Sequence, residues 1–146
     1  MCCPAATKVN LNLKNNWHHK TIEDLEQHNF GRPEDAPTSM IRRCIYLTKV
    51  PLDQFAIEDL RLMIGQGFSL CYLIPLATGY LKADLFAEGS CFPGDLLKNI
   101  LLIDPEFWLA NRPLWTAIND LIKNRRQELA VLKIPTFLFD TVFSEK

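Results

Sequence analysis

The sequence predicts an all-α fold, one compact domain of about six to seven packed helices, with its last residues in a short strand or an extended segment lying on them. Three observations point there. Apolar residues recur at helical spacing in successive segments, Pro, Gly and cap residues stand at the joints between those segments, and the composition is that of a globular chain. The 146 residues are 48% hydrophobic and 23% charged, enough to bury a core in one domain without disulfides or metal. The reading divides the chain into an N-terminal arm, residues 1–19, and one helical domain, residues 20–146.

The first helix is expected after Thr21, an N-cap whose reciprocal acid in a capping box is Asp24. Gly31-Arg32-Pro33 and Ala36-Pro37 break the chain. Thr38-Ser39 then cap a second helix with Met40, Ile41, Cys44, Ile45 and Leu47 on its apolar face and Arg42, Arg43 and Lys49 on its polar face. Val50-Pro51 ends it, because a residue before proline is pushed out of the helical region. A third helix, Ile57 to Ile64, carries Glu58 and Asp59 in its first turn, opposite the positive end of the helix dipole. Ile57, Leu60, Met63 and Ile64 form its buried stripe, and Gly65 and Gly67 stop it.

The stretch from Leu62 to Leu81 contains no charge between Arg61 and Lys82, and about 20 apolar residues are long enough to span a bilayer. Gly65-Gln66-Gly67 argues against a span, since it weakens a helix where a span must be regular. A helix, a turn and a second helix from about Ser69 to Ala83 are predicted instead, buried at the centre of a soluble domain. Pro75 should kink that second helix near Cys71 to Pro75.

Asp84 to Pro93 reads as a loop. Gly94-Asp95 opens a helix through Ile103 with Leu96, Leu97, Ile100 and Leu101 inward, and Asp104-Pro105 opens the next, which carries Phe107, Trp108 and Leu109. One long helix is predicted from Arg112 to Val131, with Leu114, Trp115, Ile118, Leu121, Ile122 and Leu129 on one side and Lys123, Arg125 and Arg126 on the other. Beyond Pro135, TFLFDTVF is rich in aromatic and β-branched residues, hence the strand or extended segment. There is no internal repeat and no low-complexity linker.

The net charge of −1 is unevenly spread. Residues 1–20 hold three Lys and no acid, residues 21–60 eight acids against four basic residues, and residues 111–133 five basic residues against two acids. A direct nucleic-acid binder would show a larger basic excess. The five cysteines, Cys2, Cys3, Cys44, Cys71 and Cys91, form no CxxC pair and no zinc or disulfide spacing, so free thiols in a reducing cytoplasm are expected. The N-terminus lacks the apolar segment of a secretory signal, with Lys8, Asn10, Asn12 and Lys14 interrupting it.

Catalytic patterns are missing. His18 and His19 are adjacent, a poor chelate on an extended chain, and read as part of a solvated arm; no metal or cofactor is expected. Cys44, Cys71 and Cys91 lie in or beside apolar runs without a nucleophile signature. Glu34-Asp35 and Glu58-Asp59 are neighbours that do not share a helix face, and the glycine turns GQG and GDL lack phosphate-loop spacing. Trp108 and Trp115 have the spacing of core residues. The acids Glu34, Asp35, Asp84, Glu88 and Asp95, at loops or helix starts, are the candidates for contacting a partner, and an acidic face suits a basic one.

The order of KTIEDLE, GRPEDAPTSMIRRC, KVPLDQFAIEDLRLMIGQGFSLCYLIPLA and LFAEGSCFPGDLLKNIL followed by PEFW resembles the immunity proteins of bacterial contact-dependent growth inhibition systems. The resemblance covers about residues 20 to 130 and rests on an E-D-L-R-L-x-I-G-Q segment and an E-G-x-x-x-P-G-D-L-L segment. It implies a non-enzymatic cytoplasmic inhibitor, a monomer that binds the C-terminal toxin domain of a surface effector one to one and occludes it. The toxin is expected to be a nuclease; neither nucleic acid nor a membrane is a direct partner. Glu58, Asp59, Leu60, Arg61, Gly65 and Gln66 match the first segment, and Glu88, Gly89, Pro93, Gly94, Asp95 and Leu96 the second. Most of these are expected to set the fold, with recognition falling to surface residues outside the motifs. The alternative is a helical scaffold or adaptor in another bacterial complex.

Overall fold

The computed structural model describes residues 17–144. Residues 1–16 of the expected arm, Cys2 and Cys3 among them, lie outside the described residues. Trp17–His19 form a 3-10 turn that packs on a second one, Leu52–Gln54. The chain is tied there, since Leu52 N–H donates to the Lys20 carbonyl and His19 Nδ1 meets Asp53 Oδ2 at 2.7 Å. His18 and His19 lie in this turn, none of whose residues is buried, and His19 remains largely exposed.

The described residues form nine α-helices and no strand: α1 Ile22–Glu26, α2 Ser39–Leu47, α3 Ile57–Gly65, α4 Leu70–Ala83, α5 Asp95–Leu101, α6 Pro105–Ala110, α7 Arg112–Ile122, α8 Arg126–Val131 and α9 Phe137–Thr141. Local signals set most boundaries. Thr21 and Asp24 make the capping box of α1, Thr38 Oγ1 accepts from Ile41 N–H at the start of α2, and Asp104 Oδ1 accepts from Glu106 N–H at the start of α6. The end of α3 is a Schellman motif: Phe68 N–H donates to the Met63 carbonyl and Gly67 N–H to that of Ile64, with Gly67 at φ +77°.

At the centre, α3 packs on α2, α4 and α5, while α7 packs on α4 and α6. Leu60, Met63, Leu73, Ile74, Leu96, Leu97, Ile100, Leu101, Trp108 and Ile118 join one core. The Leu62 to Leu81 stretch is a helix, a turn and a helix, as expected. Within α4, Leu73 is fully buried and Leu76 only partly. The helix runs unbroken through Pro75, and no helix among the described residues is long and apolar enough to cross a membrane.

Three expectations are corrected. The long helix predicted over 112–131 is divided into α7 and α8 at Lys123, Asn124 and Arg125, where no Gly or Pro stands. The turn lets Leu129 reach the core and lets Arg126 form two hydrogen bonds, of 2.7 and 2.8 Å, with Asp140. The C-terminal segment is neither strand nor extended: it is α9, and Phe139 within it and Phe143 just past its end both lie against the same side chain, Trp115. High β-propensity lost to tertiary packing there. Finally, Cys44 and Cys91 are free thiols, Cys44 buried and Cys91 exposed, whereas Cys71 is disulfide-bonded, so thiols do not run throughout the chain and Cys91 is not a core residue.

Candidate functional site

The two motif segments, some 30 residues apart in sequence, meet where α3 packs on α5 and the 84–94 loop. Glu58 on α3 takes two hydrogen bonds from Arg61, one turn later, at 2.5 and 2.6 Å. It also accepts from the backbone N–H and hydroxyl of Ser90, at 2.9 and 2.8 Å. Asp95, buried at the first position of α5, accepts from the backbone N–H of Gly89, Cys91 and Phe92. Arg61 lies between the two acids, with Nε 3.8 Å from Asp95 Oδ2. Asn99 closes the other side by donating to the Arg61 carbonyl at 2.9 Å.

This polar clasp also accounts for the motif glycines. A Cβ on Gly89 would sit 2.7 Å from Glu58 Oε1, and one on Gly65 would sit 2.7 Å from Asn99 Nδ2. Gly94, at φ +85°, turns the chain into α5 and its Cβ would meet Ile134 at 2.7 Å. The Arg61 guanidinium and the Ser90 donors hold the Glu58 carboxyl down at about 2 against burial, and the same pairing raises Arg61. Charge-assisted hydrogen bonds of this kind are among the stronger ones, and here they tie α3 to the 84–94 loop. Asp59, the other acid of the pair, faces a different way. Its Oδ2 accepts from Ala56 N–H, closing the start of α3, and its Oδ1 from Arg43 on α2.

The acids singled out as partner contacts fall in two places. Glu34 and Asp35 are exposed on the 3-10 turn Pro33–Asp35, where Glu34 pairs with Arg32. Asp84 and Glu88 are exposed on the 84–94 loop, Asp84 accepting from Phe86 N–H. Asp95 belongs to the clasp and is withdrawn from the surface. The loop, tethered by these bonds, presents Asp84, Glu88 and the partly exposed Phe92, whose ring centroid lies 5.3 Å from Lys98 Nζ. Two residues with features of a site, the exposed Cys91 thiol and half-exposed Leu102, were not among the candidates; they sit in or beside apolar runs, and nothing local in the sequence separates an apolar residue turned outward from one turned in.

A concavity of about 440 Å³ without basic lining lies between the end of α3 and the junction of α5 with α6. Ile64, Leu70, Ile103 and Phe107 contribute its apolar surface, Gln66, Asn99, Asp104 and Glu106 its polar one. Among the described residues no three His, Cys, Asp or Glu converge as a metal set.

Neither the curated proteins nor the solved structures compared with the chain gave a match. The family model for CDI immunity proteins matches residues 24–118, more than half of the chain, and takes in both segments of the clasp. The helical, motif-tied chain described here therefore belongs to the CDI immunity proteins.

Proposed function

We propose that this protein neutralises one toxin domain, the C-terminal domain of the effector encoded beside it, by binding it tightly and covering its active site or substrate channel. Membership in the CDI immunity proteins carries the reading. Inhibition by occlusion needs a complementary surface and no chemistry of its own. The arrangement of acids is consistent with that, because the clustered carboxylates are committed to capping and ion pairs.

The toxin class this surface suits is a nuclease. An enzyme that grips a polyanion carries a basic cleft, and Glu34, Asp35, Asp84 and Glu88 supply exposed negative charge that would steer it. The complex is one to one and forms in the cytoplasm, where such a toxin would act. Co-expression with the toxin domain encoded directly upstream tests this. Survival of the host with co-purification of both chains is the expected result; death of the host, with both proteins soluble and no complex, would contradict it.

A further inference from the structure

The groove between α3 and the α5–α6 junction has the chemistry of a receptor for a cationic side chain with an apolar stem. Its lining includes no Lys or Arg. Asp104 and Glu106 are exposed at its edge and neither forms an ion pair among the described residues. Gly65, the last residue of α3, and Gln66 and Gly67 just past it line one side, so the negative end of that helix dipole lies beside the groove. Asn99 adds an acceptor: its amide nitrogen is committed to the Arg61 carbonyl, and its oxygen has no hydrogen-bond partner among the described residues. The apolar part is exposed as well, since Leu102 at the groove is 43% accessible although it follows α5 directly.

Acids without cations, a helix C-terminus and an apolar floor are complementary to one kind of group, a lysine or arginine whose aliphatic stem lies on Leu102 and Phe107. We infer that this groove receives a Lys- or Arg-bearing segment of the cognate toxin domain, and that it, rather than the 84–94 loop, is the anchoring part of the interface. The inference rests on the proposed toxin binding. It gives the exposed acids elsewhere a steering role and the groove a holding role. It also links the clasp to the groove: Asn99, which lines it, is oriented by its bond to the Arg61 carbonyl, and Gly65 leaves it room.

The test uses the full chain and a catalytically disabled form of the toxin domain encoded directly upstream, with affinity and salt dependence measured by calorimetry. Leu102→Lys and Gln66→Lys place a like charge in the groove; Glu106→Gln removes an acid; Val131→Lys, on a residue 80% exposed and away from the groove, is the control. Thermal melts confirm that each variant folds. The expected result is a loss of about 10-fold or more for the two lysine variants, a smaller loss with a shallower salt dependence for Glu106→Gln, and wild-type affinity for Val131→Lys. Folded groove variants that bind like the wild type would overturn the groove and leave toxin binding intact. A wild-type chain that fails to bind the toxin would instead remove the reading on which the groove depends.

Discussion

Two regions of the molecule tie distant parts of the chain together by different physics. At one, α3 and the 84–94 loop are joined through Glu58, Arg61, Ser90 and Asp95, a set of short directional bonds to backbone donors and a guanidinium. At the other, α6, α7 and α9 are joined by aromatic rings. Trp108 meets Phe139 edge-on at 5.3 Å, Trp115 stacks on Phe139 at 5.0 Å, and Arg112 lies 4.5 Å above Phe143. Among the rings themselves the directional bond runs from Trp115 Nε1 to the Phe139 carbonyl at 2.9 Å, while Arg126 ties α8 to Asp140 of α9. The family match ends at residue 118, so α8 and α9 lie beyond it while the whole clasp lies inside. The clasp fixes geometry; the aromatic closure supplies buried area.

The largest effect should come from a charge placed where both regions meet the common core. Leu73→Asp buries an unpaired carboxylate on α4 and should unfold the protein, since the cost is several kcal/mol against a total stability of about 5–15. Circular dichroism would show loss of helix; at Leu76, which is only partly buried, the same change should be milder. Phe139→Ala removes the ring shared by Trp108 and Trp115 and should cost about 3–5 kcal/mol in a denaturant titration. Asp95→Ala leaves three loop N–H groups without their acceptor and should cost about 2–3 kcal/mol, with amide exchange quickening first at Gly89, Cys91 and Phe92.

Smaller changes sharpen the contrast. Gly94→Ala forces an L side chain to positive φ against Ile134 and should destabilise by about 1–2 kcal/mol, read as a lower melting temperature. The clasp also carries a pH signature. Glu58 is depressed from 4.5 to about 2 in the folded chain, so the unfolded chain binds the proton more readily through that window. Its contribution is present in full above about pH 4.5 and is lost as pH falls through about 2. Over that range Glu58→Gln should lose less stability than the wild type. Equal slopes for the two proteins in acid denaturation would remove Glu58 from the account.

The sequence made the clasp's frame legible because its signals are local. Thr21 with Asp24, Thr38, Asp104-Pro105 and Gly67 each satisfy a backbone group within a few residues, and all mark helix ends in the structure. The same text misled where the decision was tertiary. Lys123-Asn124-Arg125 has no breaker, yet the chain turns there because Leu129 must reach the core and Arg126 must meet Asp140. The segment after Pro135 looks like a strand by propensity and is a helix because its aromatics have to grip Trp115. For the site, sequence singled out acids by exposure alone. It could not tell that Asp95 folds inward onto three amides, or that Leu102, in an apolar run, turns outward beside Glu106.

The central claim is that the clasp carboxylates, Glu58 and Asp95, hold the fold while recognition lies outside them. Asp95→Asn tests it most directly, with the melting temperature and the affinity for the disabled toxin domain measured on the same sample below its transition. The account predicts a lower melting temperature with the affinity of the folded protein within about twofold of wild type. An unchanged melting temperature with a large loss of affinity would contradict it, and would place the clasp itself in the interface.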